Sequence, residues 1–341
     1  MQWIYDSPQL AFAIFVCALN FESVSAREAA SSGAPVGMNA ALGPVLSNSD
    51  RTGDSLQTTE ILGGSDDWSV VSEGHSSVVG LTADAHGMLF FNDPIRSKTY
   101  TYFPQIFWTQ PESFLEESGG ARGQAFGPDG RLYAAANGEK KIVAYTGDHA
   151  MEILAEGISA NDLAIGADGA VYVSEWDSAE PSTGRIWIIP RGQPARVALA
   201  GLRTPISLAI SAKTSRLFVA ESDSESVDTY PIEAGGALGS KRRFCAVVAS
   251  PKVPESRLKI RVSREGLVLA GNARGIGVYD SLGNQKCMIP VPPGDLADFA
   301  FAGPKFDQLY LASGGKLYRR TLGIHGIPPL QSPAKIPPRN P

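Results

Sequence analysis

The hydrophobic and polar positions of this chain follow a short pattern that recurs along its middle. An apolar run with small or polar residues at alternate positions is followed by a turn and by a second apolar run, which contains an aromatic residue or leucine. The pattern occurs at Val78–Phe91, Arg122–Ala135, Asn161–Ser174, Ile206–Ala220, Leu258–Gly271 and Asp298–Ala312. Such alternation is typical of a half-buried β-strand, and the Asp-Gly or Glu-Gly pairs suit tight hairpin turns.

The spacing of the six units predicts the fold class. Their central apolar residues recur about every 40 to 50 residues, which is the length of one four-stranded propeller blade. These residues are Phe90, Tyr133, Tyr172, Phe218, Leu269 and Tyr310. Further strand-like runs follow most units, for example at Lys140–Thr146, Gly184–Pro190 and Gly275–Asp280. We therefore predict an all-β, six-bladed β-propeller over residues 64–326; an ordinary β-sandwich is the alternative, but it would not give six regular spacings.

The last unit suggests how the ring closes. It offers only three strands, Asp298–Phe301, Gln308–Ala312 and Lys316–Leu322, whereas Trp68–Ser72 lies ahead of the first unit and is unassigned. Pairing Trp68–Ser72 with Lys316–Leu322 would remove the unpaired edge of an open blade. We expect this closure.

The pattern resembles the senescence-marker-protein/gluconolactonase (LRE-like) family from Trp68 to Gly326. The most specific matches are Asn161–Ala164 with Asp168–Tyr172, and the closing stretch Phe299–Arg320. The resemblance implies a six-bladed propeller that acts as a lactonase or related hydrolase of small sugar-type lactones or esters. It also implies one divalent cation, often calcium or zinc, in the central channel.

Carrying the family's cation ligands onto this sequence gives a mismatch. The positions that the resemblance assigns to a Glu, an Asn and an Asp ligand are Val79, Ile206 and Leu258, and only the assisting Asn is matched, at Asn161. Aliphatic side chains offer no oxygen to a hard cation. A shift of alignment could supply one ligand, such as Glu255. We therefore predict no metal ligand and no bound cofactor, with the usual metal site degenerate.

The remaining polar residues of the channel mouth form a candidate site for a small polar molecule. We assign ligand binding to Arg122, Asn161, Asp162 and Ser207, with Arg122 pairing a ligand carboxylate, and we assign the role of catalytic base to Asp298. The alternative is that these residues satisfy one another, for example through an Arg122–Asp298 salt bridge that plugs the channel.

Two classes of function remain open. The resemblance favours a lactonase-type hydrolase, whereas the replaced ligands favour a non-catalytic binding or scaffold propeller, and a propeller fold alone is compatible with either. Trp176 lies in the loop after a strand of the third unit, where the resemblance implies a substrate-covering loop. Trp176 would cover the pocket or shield a strand end.

Composition restricts the partners. The 341 residues are 43% hydrophobic and 19% charged with a formal net charge of −5, and they include 36 Gly and 24 Pro. These values exclude disorder throughout the chain and agree with a turn-rich fold. The acidic balance without a Lys/Arg block argues against nucleic acid. We expect a monomer that has no membrane contact once a signal peptide is removed.

The N-terminal sequence predicts export, and the sequences at both ends predict unpacked segments. The apolar run Leu10–Leu19 is too short to span a bilayer, and it precedes small residues at Val24 and Ala26 that suit a signal peptidase. We predict a signal peptide at 1–26, a disordered linker at 27–63, and a Pro-rich, unpacked tail at 327–341, in a periplasmic or secreted protein. A buried first strand or helix is the alternative for the apolar run.

Three cysteines are present, and Cys17 lies in the predicted signal peptide. Cys245 and Cys287 could form a disulfide in an oxidising compartment, although two separate buried thiols fit their apolar surroundings equally well.

Overall fold

A computed structural model describes residues 53–64, 67–103, 110–176, 183–222, 224–247 and 258–329. The predicted signal peptide, most of the predicted linker and residues 330–341 lie outside the described residues. Over the ranges that are described, the chain contains no helix of the length and apolarity needed to cross a membrane.

The described residues form six four-stranded antiparallel sheets, which confirms the predicted all-β six-bladed propeller. A strand that precedes the first blade is β1 Ser69–Ser72. Blade one contains β2 Val79–Ala83, β3 Leu89–Asp93, β4 Lys98–Tyr102 and β5 Glu112–Leu115. Blade two contains β6 Ala121–Phe126, β7 Leu132–Ala136, β8 Lys141–Tyr145 and β9 Met151–Glu156. Blade three contains β10 Ala160–Ile165, β11 Val171–Glu175, β12 Gly184–Ile189 and β13 Arg196–Leu202.

The second half of the ring repeats this order. Blade four contains β14 Pro205–Ser211, β15 Arg216–Glu221, β16 Ser226–Pro231 and β17 Arg242–Ala246. Blade five contains β18 Lys259–Val262, β19 Val268–Asn272, β20 Gly275–Tyr279 and β21 Gln285–Ile289. Blade six contains β22 Leu296–Ala302, β23 Gln308–Ser313 and β24 Lys316–Thr321, with β1 as its fourth strand.

The recurring sequence unit is the first hairpin of each blade, formed by the innermost strand and its neighbour. Gly130 and Gly169 occupy its turns with φ of 78° and 83°, a left-handed conformation that glycine adopts without steric cost. The central apolar residue of each unit lies in the second strand and is buried in all six blades. The alternation in the sequence therefore reports the packing of blade against blade.

The ring closes between the two ends of the propeller, as predicted. β1 pairs antiparallel with β24, with Ser69 opposite Arg319 and Val70 opposite Tyr318. A bulge between Val70 and Ser72 shifts the register by the end of β1. Because β1 covers the outer edge of β24, the last blade has four strands like the others.

The hydrophobic core is divided into clusters that lie between neighbouring blades. One cluster joins Leu89 and Phe91 of blade one to Tyr310 and Leu317 of blade six. Another packs Tyr133 of blade two against blade three. The faces at which blades one and six meet are therefore buried only when the ring is complete.

Segments at both ends of the described chain pack against blades five and six. The short helix α1 Thr58–Leu62 places Ile61 in the core with no exposed surface, and the Gly323 N–H donates to the Ile61 carbonyl at 3.0 Å. Residues 53–62 are thus packed, unlike the disordered linker predicted for them, because Ile61 and Leu56 are apolar enough to anchor the segment. Ile327–Pro329 line the channel, where the sequence predicts an unpacked tail.

Cys245 and Cys287 are free thiols in β17 and β21, the outer strands of blades four and five. Burial raises the pKa of Cys245 to about 12 and that of Cys287 to about 11. Of the two alternatives left open by the sequence, the structure has the separate thiols.

Candidate functional site

The pairing of each first hairpin defines equivalent positions around the channel. The residue of the innermost strand opposite the central apolar residue is small in five blades and is arginine in one. These six residues are Thr82, Ala125, Ala164, Ala209, Arg261 and Ala300. The other positions of each innermost strand are numbered relative to these six residues.

In each innermost strand, the residue three positions before this one belongs to a set that we call the mouth ring. Its members are Val79, Arg122, Asn161, Ile206, Leu258 and Ala297. Sequence spacing placed Asp298 in this ring, and that placement is wrong. In blade six Asp298 lies opposite Ala312, as Asp162 lies opposite Ser174 in blade three. Asp298 is therefore the equivalent of Asp162, and Ala297 is the equivalent of Asn161.

Arg122 and Asn161 form the polar part of the mouth ring. The Arg122 Nη1 donates to Asn161 Oδ1 at 3.2 Å, and Asn161 Nδ2 donates to the Trp176 carbonyl at 3.3 Å. Arg122 is exposed, whereas Asn161 is 9% exposed. The structure thus brings together two of the predicted ligand-binding residues and places Trp176 beside them. Residues 177–182 of the same loop lie outside the described residues.

The residue that follows each mouth-ring residue belongs to a second set, which we call the interblade ring. Its members are Gly80, Gly123, Asp162, Ser207, Lys259 and Asp298. At the first two members the neighbouring strand comes so close that a Cβ would overlap it. A Cβ on Gly80 would overlap the Arg122 carbonyl oxygen, and one on Gly123 would lie 2.6 Å from the Asp162 Cα. The other four members hold adjacent blades together with their side chains.

Asp162 and Ser207 are two of these connecting residues. The Leu208 N–H of blade four donates to Asp162 Oδ2 at 3.1 Å, and the Ile260 N–H of blade five donates to Ser207 Oγ at 3.2 Å. Asp162 Oδ1 also accepts the Leu163 N–H at 3.0 Å. Both side chains are buried and engaged with backbone, so the structure separates them from the Arg122–Asn161 pair that was expected to share their ligand.

Asp298 connects blade six to blade one. Its side chain is 1% exposed, and it accepts the Leu81 N–H at 2.9 Å and the Phe299 N–H at 2.8 Å. Arg261 Nη2 donates at 2.8 Å to Asp298 Oδ1, the oxygen that also accepts the Phe299 N–H. The alternative drawn from the sequence pairs Asp298 with Arg122, which instead donates to Asn161. A carboxylate that accepts three donors in a buried position is poorly suited to the role of base predicted for it.

Lys259 completes the charged interior. Its Nζ lies 3.4 Å from the Ile206 carbonyl oxygen and 4.0 Å from Asp162 Oδ2, and the residue is 9% exposed. Asp162 with Lys259 and Asp298 with Arg261 therefore balance their charges inside the channel.

The other members of the mouth ring are apolar. Leu258 is 2% exposed in an apolar cluster between blades four and five, and Ile206 packs against that cluster. Val79 is half-buried. Among the described residues, no group of three or more His, Cys, Asp or Glu side chains could hold a metal ion. Glu255 lies outside the described residues.

Arg261 is the channel residue that sequence reasoning missed. It lies opposite Leu269, where four of the other five blades have alanine and one has threonine. Counting back from the central apolar residue of each unit, rather than from the turn glycine, identifies Arg261 as the charged residue at this position.

A comparison with known families matches residues 80–315, more than half of the chain, to the SMP-30/gluconolactonase/LRE-like region. The chain belongs to the SMP-30/gluconolactonase/LRE-like family. This confirms the resemblance inferred from the repeats.

Individual members of this family are distant in sequence. A pentonolactonase of Haloferax volcanii is 24% identical over 158 residues, which are 46% of this chain and 53% of that protein. The chain thus spans about half the length of the curated relative it matches. A gluconolactonase from Xanthomonas campestris has a TM-score of 0.66 at 21% identity, covering 77% of this chain and 92% of that one. The calcium-binding protein regucalcin from Agrobacterium tumefaciens has a TM-score of 0.66 at 16% identity, covering 77% and 96%. These two likenesses show the shared fold.

Proposed function

We propose that this member of the gluconolactonase-like family recognises a small sugar-type lactone at the Arg122–Asn161 mouth without a divalent cation. The observation that carries the proposal is the paired geometry of these two side chains. Arg122 donates to Asn161 Oδ1, and Arg122 is exposed at the mouth. A cation with several donors beside an amide suits the carbonyl, the hydroxyls or a carboxylate of such a ligand.

The family's cation does not fit the residues at this mouth. Leu258 is buried among aliphatic and aromatic side chains, and Ile206 packs against the same cluster. A calcium-type ion takes six to eight oxygen ligands, and an ion beside aliphatic groups would lose its hydration without replacement. The nearest ring carboxylates, Asp162 and Asp298, already accept backbone N–H groups. We therefore propose that the cation site is degenerate in this chain.

Lactone hydrolysis is the second candidate, and family membership favours it. Arg122 and Asn161 could polarise a lactone carbonyl, because fixed donors stabilise the negative charge that forms on its oxygen. Hydrolysis also needs a base for the attacking water, and no member of the mouth ring carries a carboxylate or an imidazole. For this reason recognition is proposed first and turnover second.

Substitution at Asn161 tests the proposal. With D-xylono-1,4-lactone, D-glucono-1,5-lactone and a carboxylate-bearing lactone of glucaric acid as probes, we expect ligand-induced rises in melting temperature. Asn161→Ala should reduce the affinity at least tenfold, because the acceptor that holds the Arg122 guanidinium in place is lost. Arg242→Ala, which removes an exposed arginine of the outer strand β17, should leave it unchanged. Equal stabilisation of Asn161→Ala and the unmodified protein would place the site elsewhere.

The same protein distinguishes recognition from metal-dependent turnover. Hydrolysis of each lactone is measured with chelator and with added calcium, zinc or manganese, together with elemental analysis of the purified chain. We expect less than a twofold effect of any metal. A stoichiometric ion with metal-dependent turnover would contradict the degenerate site.

We also propose that the chain is exported and cleaved after Ala26. The support is the apolar run Leu10–Leu19 followed by small residues at Val24 and Ala26. Mass spectrometry of the protein from its native host should find a mature N-terminus near Arg27. Recovery of a chain that still begins at Met1 or Gln2 would refute the proposal.

A further inference from the structure

Arg122 is an exposed cation that has no carboxylate partner among the described residues. Its Nη1 donates to the amide oxygen of Asn161 at 3.2 Å, and its side chain makes no further hydrogen bond or ion pair with a described residue. The amide is neutral, so this contact orients the guanidinium without cancelling its charge. An arginine that is held in place but not neutralised is suited to bind an anion.

The charges inside the channel are already balanced. Lys259 Nζ lies 4.0 Å from Asp162 Oδ2, and Arg261 Nη2 donates to Asp298 Oδ1 at 2.8 Å. All four of these side chains are at most 20% exposed. Each carboxylate thus meets one cation, and the interior adds no net charge beneath the mouth. Arg122 therefore leaves one positive charge uncompensated there.

Three carboxylates lie at the ends of second strands, close to the mouth ring in sequence register, and none of them pairs with Arg122. Each accepts the N–H of a residue in the loop that leads into its own blade: Asp93 that of Ser76 at 3.0 Å, Glu175 that of Ser159 at 3.1 Å and Glu221 that of Arg203 at 2.6 Å. Asp93 and Glu175 also lie within 4 Å of an arginine of their own blade. These carboxylates are buried or half-buried and already engaged, so they do not replace an anionic ligand at Arg122.

The hydrogen-bonding capacity left at the mouth consists mainly of donors. Asn161 accepts from Arg122 and donates one N–H to the Trp176 carbonyl. A guanidinium carries five N–H donors and no acceptor, so Arg122 keeps donors that no described residue accepts. The remaining mouth-ring side chains are apolar: Val79, Ile206, Leu258 and Ala297. A ligand that supplies acceptors and a negative charge fits this pair better than a neutral ligand does.

We propose that the Arg122–Asn161 mouth selects anionic sugar acids over the neutral lactones from which they form. This inference rests on the proposed ligand site and names charge as the property that the site selects. The ligand carboxylate would accept two N–H groups of Arg122 side by side, whereas a lactone carbonyl is uncharged and makes weaker bonds. The reaction class that supplies such a ligand is lactone hydrolysis, in which water opens the ring ester to a hydroxyl and a carboxylate and a proton is released.

A matched pair of ligands tests the charge preference: D-xylonate and D-xylono-1,4-lactone, compared at about pH 6, where the acid is ionised. Titration calorimetry with the full chain should show that xylonate binds at least tenfold more tightly than the lactone. Its affinity should fall about threefold from low to physiological ionic strength, whereas that of the lactone should stay constant.

Substitutions at the cation identify its contribution. Arg122→Gln keeps a polar side chain but removes the charge, and it should reduce the affinity for xylonate to that for the lactone. Arg122→Lys keeps the charge but loses the planar pair of donors, and it should retain part of the preference. Arg242→Ala, at the exposed arginine of β17, should leave both affinities unchanged.

The outcomes separate this inference from the proposed function. Lactone binding that equals or exceeds xylonate binding, and that Asn161→Ala weakens, would overturn the charge preference and leave the proposed site standing. A preference for xylonate that persists in Arg122→Gln would also overturn it, because another cation would then be responsible. If neither ligand binds, or if both bind Asn161→Ala as they bind the unmodified protein, the proposed site fails and the inference fails with it.

Discussion

Replacing Asp298 with alanine should lower the free energy of unfolding by about 3–5 kcal/mol, the cost of removing one partner of a buried ion pair. Asp298 accepts the Arg261 guanidinium and the Leu81 N–H across the junction of blades five, six and one. Without it, the charge of Arg261 stays in the channel and the Leu81 N–H loses its acceptor. Urea unfolding followed by far-UV circular dichroism gives the difference.

Two further variants separate this effect from a general one. Asp295→Ala, at an exposed loop position, should change the free energy of unfolding by no more than about 0.5 kcal/mol. The double variant Asp298→Leu/Arg261→Met removes both charges and should be more stable than Asp298→Ala. A loss below about 1 kcal/mol for Asp298→Ala would show that the ring does not depend on this carboxylate.

A chain that begins at Glu73 should fail to remain a folded monomer. It lacks β1 and therefore leaves β24 as an uncovered edge with unpaired N–H and carbonyl groups. We expect self-association in size-exclusion chromatography with light scattering and a melting temperature lower by more than about 10 °C, since several core contacts and a strand ladder are lost together.

Matched truncations identify the responsible element. A chain that begins at Gly53 retains α1 and β1 and should behave as the full chain does. One that begins at Asp67 loses α1, with its buried Ile61, but keeps β1; it should be less stable yet monomeric. A monomeric, stable chain from Glu73 would mean that the ring stays closed without β1.

Local sequence was sufficient to predict the blades and their closure. The alternation of apolar and polar residues is set by burial on the two faces of a strand, and the recurrence of residues such as Tyr172 and Tyr310 reports packing between blades. The unassigned stretch at Trp68–Ser72 could be matched to an incomplete last unit because only one edge needed a partner. These features depend on residues that are close in sequence or on simple counting.

The side-chain partners within the channel could not be predicted in the same way. The turn of the first hairpin is longer in blade six, where Ala300 pairs with Tyr310, than in blade three, where Ala164 pairs with Tyr172. A count from the turn that misses part of this difference shifts Asp298 by one position. That shift exchanged its true partner Arg261 for Arg122. Gln124 could be recognised from the sequence as a polar residue at a position that is apolar in the other blades, but its lack of hydrogen-bond partners among the described residues could not.

The closure of the ring also sets a delay during synthesis of the chain. Ser69 contacts Arg319, its partner 250 residues later in the chain. At a synthesis rate of about 5–20 residues per second, β1 waits roughly 10 to 50 s for β24 to be made. During that interval the first strand is an unpaired β-segment with Val70 and Val71 at its centre. The pairing of β1 with β24 therefore joins the residues of the propeller that are synthesised first to those that are synthesised last.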